Sequence, residues 1–144
     1  MSQETVFSIA NMLALLSWIY LMIAPYKPLT PKVLIGVPVT LLCIAYAVLV
    51  FQTLQPTDFE QFSTLEGITG LMSLPGAALV GWLHYLAFDL MTGIFIAQNA
   101  AKHGIKHLVV IPCLIFTFML GPVGLLLYLM IRWATTNHWW ADNF

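Results

Sequence analysis

The sequence predicts an all-α integral membrane protein: a four-transmembrane-helix bundle with a short interfacial helix between spans 2 and 3, forming one domain over residues 1–144. Three observations carry this. Of the 144 residues, 60% are hydrophobic and only 8% charged, with a mean hydropathy of +0.90, whereas a water-soluble domain carries about 25% charged residues. Four apolar segments, about 5–25, 33–54, 76–100 and 107–132, approach the length that about 30 Å of hydrocarbon demands of a helix. Period-two alternation is absent, which argues against a barrel. A soluble enzyme is excluded, and so is nucleic acid as a partner, because five scattered cations make no basic stripe.

The first segment begins without a basic n-region and its apolar run is long for a signal sequence, so the first span is expected to stay in the mature protein. Pro25, Pro28 and Pro31 then break the chain in the first connection, and Pro38 falls in the first turns of the second span. The connection 55–75 contains two tetrads of capping-box form, Thr57 with Glu60 and Ser63 with Glu66. Phe59, Phe62 and Leu65 recur there at every third residue, which suits a short amphipathic helix in the interface. That helix either covers one end of the bundle or tucks its aromatics under lipid headgroups. Pro75 opens the third span where a missing N–H costs least. In the fourth span Pro112 lies in the first turns, while Pro122 lies deep and removes the bond to the Phe118 carbonyl, so a kink is expected there.

Lys27 and Lys32 lie in the first connection and Lys102 and Lys106 in the third, while the middle one carries Asp58, Glu60 and Glu66. The positive-inside rule then puts connections 1 and 3 in the cytoplasm and, with four spans, both termini outside. Arg132 is the exception and is expected to snorkel from the end of its span, beside an aromatic belt of Trp133, Trp139 and Trp140. Cys43 and Cys113 fall inside apolar runs, so no disulfide framework is expected.

Among the charged residues only Asp89 sits near the middle of a span, where an ionised side chain costs a few kcal/mol, and such a residue marks function by default. His84 lies five positions earlier, about 140° away around the helix, so the two meet only if a neighbouring helix supplies a facing wall. Tyr85 shares the Asp89 stripe with Gly81, Gly93 and Ala97, whose small size admits another helix closely. The bland reading is a hydrogen-bonded Asp89 strut and a His84 that caps a carbonyl. No metal site is expected: His84 and His103 are about 28 Å apart along a straight helix, and His103 and His107 read as loop residues. Asn11, Ser17, Gln52, Gln98 and Asn99 suit helix association. Gly121, Pro122 and Gly124 form a break whose freed carbonyl could line a cavity.

The third span "GWLHYLAFDLMTG" followed by "HGIKHLVVIPCLIFTFMLGPVGLLLYLMIR" resembles the abscisic-acid-deficient-four-like family of small membrane proteins, whose plant members are associated with neoxanthin synthesis in the plastid. Trp82, His84, Asp89, Gly121, Pro122 and Gly124 carry the resemblance, while Asn99 stands where many relatives have an acid. Without a plastid-type extension the chain reads as a bacterial-type member, expected in the inner membrane. The resemblance implies isomerisation of an epoxide to an allenic alcohol, with no net redox change and no cofactor. One group protonates the epoxide oxygen and another removes a carbon-bound proton. Asp89 and His84 are the candidate catalytic residues, and Trp82, Tyr85, Gly93, Asn99, Gly121, Pro122 and Gly124 are the candidate substrate contacts. The expected partners are a lipophilic polyene or isoprenoid, membrane lipids and a second copy of the chain in a homo-oligomer. Two other functions compete: non-catalytic binding of a carotenoid, retinoid or lipid, and a proton or small-solute pathway in an oligomer.

Overall fold

The computed structural model describes residues 2–137, and these are helical with no strand among them. Helix α1 (Gln3–Ile23) starts at Ser2, whose hydroxyl accepts from the Thr5 N–H at 3.2 Å. Helix α2 (Leu29–Thr53) contains a π turn over Ile35–Val39. Pro38 has no N–H to give its own turn, and Thr40 closes the widened one by donating both its N–H and, at 2.7 Å, its hydroxyl to the Ile35 carbonyl.

The middle connection holds two short helices instead of one. A 3-10 helix spans Pro56–Ser63, and α3 spans Leu65–Met72. The caps fall elsewhere than the tetrads suggested: Gln55 and Asp58 form a capping box, and Thr64 caps α3 by accepting from the Gly67 N–H. The three-residue recurrence of Phe59 and Phe62 is the period of the 3-10 helix itself, and their rings sit 6.1 Å apart.

Helix α4 (Pro75–Lys102) is the axis of the molecule, and α1 runs parallel to it. Asn11 of α1 meets Trp82, Trp18 and Leu21 meet Gly93, and Gln98 reaches the Pro25 carbonyl at 3.1 Å. A Cβ on Gly93 would stand 2.5 Å from the Trp18 ring, so this glycine sets how closely the two helices approach. One buried cluster, including Ala10, Ala14, Leu42, Leu83 and Ala87, joins α1, α2 and α4. A second, including Trp18, Leu90, Ile94, Leu114 and Tyr128, fills the other half.

The fourth predicted span is the main correction. Three helices are long and apolar enough to cross a membrane, α1, α2 and α4. Residues 107–132 form two helices, α5 (His107–Leu120, 14 residues) and α6 (Pro122–Thr136, 15 residues). At about 1.5 Å per residue each is near 21 Å long, short of a bilayer. They fold back on each other. Gly124 of α6 lies against the Thr117 N–H and Cys113 carbonyl of α5, and the Tyr128 ring reaches Phe95 and Asn99 of α4. The expected kink is thus a reversal. Pro122 ends the α5 hydrogen bonding, Gly121 turns at φ 49° and ψ −101°, a conformation closed to other residues, and Gly124 permits the return.

This reversal moves the ends of the chain. Ser2 lies at the end of the bundle with Glu4 and Pro75, whereas Arg132 and Asn137 lie beside the Asn99 end of α4. The described chain therefore starts and stops at opposite ends, not at one. Arg132 joins Lys27, Lys32, Lys102 and Lys106, so all five cations occupy one end, while Glu4, Asp58, Glu60 and Glu66 occupy the other. Trp133 is 53% exposed on α6, and Trp139 and Trp140 lie outside the described residues.

Candidate functional site

The tip of the α5–α6 hairpin meets α4 at Asp89, about halfway along that helix. Gly121 presents its bare Cα to the carboxyl group: a Cβ there would stand 2.8 Å from Oδ1 and 3.2 Å from Oδ2. Asp89 is half-buried, and its Oδ2 is shielded and has no hydrogen-bond partner among the described residues. The carboxyl group lies beside the start of α6, where the helix dipole favours an anion. The carbonyl of Phe118, released by Pro122, accepts from the Tyr85 hydroxyl at 3.3 Å. It is thus satisfied by protein, as backbone away from water must be.

From Asp89 an aromatic wall runs along α4 toward the acidic end. Tyr85 stacks on Trp82 with ring centroids 5.4 Å apart, and Trp82 faces Phe7 at 5.9 Å. Asn11, assigned above to helix association, holds the indole by accepting its N–H at 3.1 Å. Below the hairpin tip this wall borders an open cavity of about 330 Å³ lined by Glu4, Phe7, Leu79 and Trp82, among others.

Trp82, Tyr85, Asp89, Gly121 and Pro122 therefore lie together. Gly124 sits one turn inside the hairpin and acts by permitting it, and Gly93 serves the α1–α4 contact. His84 points away from the hairpin: its ring stacks on Phe88 at 4.6 Å and faces Tyr46 of α2 at 5.7 Å, and the cavity it lines beneath the middle connection does not include Asp89. Asn99, ten residues beyond Asp89, is buried in a clasp where its Oδ1 accepts from the Tyr128 hydroxyl at 2.6 Å and from Arg132 at 3.1 Å. Arg132 does not snorkel outward: it is 2% exposed, because the reversal lays α6 against α4. Tyr128 and Arg132 are not legible as partners of Asn99 when residues 107–132 are read as one continuous, kinked span.

His103 and His107 are both engaged by backbone, at the Asn99 carbonyl (2.8 Å) and the Met22 carbonyl (2.9 Å). No group of three metal-binding side chains occurs among the described residues.

The family model described as ABA DEFICIENT 4-like matches residues 5–128. The chain belongs to this family. The match to the ABA DEFICIENT 4-like family runs from α1 to Tyr128, so it takes in the Asp89 site and the hairpin tip and stops short of Arg132. No curated protein and no solved structure matches the chain.

Proposed function

We propose that this protein is a membrane-embedded, isomerase-like protein that acts on a carotenoid or related isoprenoid by acid/base chemistry at Asp89. Membership of the ABA DEFICIENT 4-like family supports the substrate class. The observation that carries the chemistry is the shielded Oδ2 of Asp89, without a partner among the described residues, at the closed end of an aromatic wall. Opening an epoxide to an allenic alcohol breaks one C–O bond, delivers a proton to that oxygen and removes a proton from carbon as the new double bond forms. A carboxyl group in reach of the ring serves either transfer. Tyr85, one turn away on the same face, is the partner that the geometry favours over His84.

In a carotenoid-producing host, Asp89→Asn is expected to abolish the converted pigment, read by chromatography, while the protein accumulates as wild type. An unchanged product profile with intact protein overturns the catalytic role.

A second reading, a binding or accessory protein, is favoured by the position of Asp89 at the start of α6, where a carboxylate stabilises a helix without chemistry. It predicts that Asp89→Asn lowers thermal stability by about 1 kcal/mol and leaves bound pigment, seen in the visible absorption of the purified protein, unchanged.

A further inference from the structure

We infer that the cavity beneath the interfacial segment is a second binding site, which receives the ring-sized, oxygen-bearing end of a lipophilic molecule and reads its oxygen through His84. This rests on the lipophilic ligand class of the reading above but not on catalysis at Asp89.

The cavity holds about 340 Å³ between α2, α3 and α4. Phe62 of the 3-10 helix and Leu71 and Met72 of α3 roof it, Tyr46 of α2 forms one wall, and Gly81 and His84 of α4 form the floor. It sits at the small end of the range for ligand pockets, about 300–1,000 Å³, and so accommodates one end of a long polyene rather than all of it. Gly81 keeps the floor open, since a Cβ there would come within 3.3 Å of the Met72 sulfur.

The polar groups say what that end carries. His84 lies nine residues past Pro75, about 14 Å along α4. Its ring contacts are with Phe88 and Tyr46, and it makes no hydrogen bond among the described residues; nor does the Tyr46 hydroxyl. His84 is exposed and Tyr46 half-buried, so within a membrane their N–H and O–H meet no acceptor among the described residues, a state that is costly away from water. A hydroxyl or keto oxygen on the incoming ring supplies the missing acceptor, and the neighbouring aromatics stack on the ring. The roof is built from the connection itself, so the end group is reached past a segment of two short helices.

The test uses the full chain in lipid nanodiscs with zeaxanthin and β-carotene, one polyene with and without ring hydroxyls, and reads retained pigment by visible absorption. Wild type is expected to retain zeaxanthin about ten-fold better, the value of roughly one hydrogen bond away from water. His84→Phe is expected to remove that preference and His84→Gln, which keeps a donor, to restore part of it. Gly81→Leu, which fills the cavity, lowers retention of both pigments. Equal retention of the two by wild type, retention of neither, or a preference that survives in His84→Phe overturns the proposal. Asp89→Asn separates the two sites: a preserved preference with lost conversion supports both, and a preserved preference with unaltered conversion leaves this cavity standing while the acid/base role falls.

Discussion

Asp89 owes its place to glycines rather than to a cationic partner. Gly121 has no Cβ to displace the carboxyl group, and Gly93, one turn further along α4, brings α1 close on the same helix. Its presence in a span was legible from sequence, because one carboxylate among apolar neighbours stands out. Its neighbour Tyr85, one turn away on the same stripe, was legible too, whereas Gly121 was not, since it lies far along the chain. At the basic end, the Tyr26 hydroxyl donates to the Ile105 carbonyl at 2.6 Å and ties the first connection to the third. Burial raises the Tyr26 pKa above its ordinary value of 10.0, so the neutral, donating form is favoured when folded. Its stabilising effect is therefore complete below pH 10 and declines as pH climbs through the higher folded-state value. Thermal unfolding in detergent should show wild type more stable than Tyr26→Phe at pH 8, with the gap narrowing above pH 10.

Among the elements, the α5–α6 hairpin decides the architecture, and a small residue decides the hairpin. Gly124 rests on α5 at the Thr117 N–H and hydroxyl and the Cys113 carbonyl, where no side chain fits and the backbone atoms cannot move aside. Gly124→Leu should therefore part the two helices and cost at least about 1–3 kcal/mol, seen as a lower unfolding midpoint. The clasp of Tyr128 and Arg132 on Asn99 should loosen with it, whereas a straight fourth span would tolerate leucine. Hydropathy found the limits of α1, α2 and α4 within a few residues, since an apolar stretch of span length carries its own signal. It failed at 107–132 because a hairpin of two apolar helices and one long apolar helix have the same composition. Similarly, the capping tetrads pointed to helix in the middle connection but missed its break at Thr64 and the residues that cap it, where local backbone choices between equivalent side chains decide.

For the whole molecule, charge is sorted along the bundle. With three spans and a hairpin that turns back, the cations of Lys27, Lys32, Lys102, Lys106 and Arg132 share one end, and the apparent exception disappears. Applied to this layout, the positive-inside rule predicts that end in the cytoplasm, the connection 56–72 outside, and residues 2 and 137 on opposite sides of the membrane. Single cysteines at Thr57 and Asn137, in a background lacking Cys43 and Cys113, test it with a membrane-impermeant maleimide on intact cells. Thr57→Cys should label from outside and Asn137→Cys only after permeabilisation. Labelling of both from outside would restore a four-span layout.

Sequence by itself determined the solvent and the class: the scarcity of charge demanded an apolar surface, the apolar runs demanded helices, and one carboxyl group remained unexplained among them. Tertiary structure alone decided where the last apolar run goes and which polar groups meet. Composition and periodicity report how each segment suits its surroundings, whereas a reversal at Gly121, a backbone contact at Gly124 and the turning of His84 toward Tyr46 while Asp89 meets Gly121 depend on which helix lies alongside.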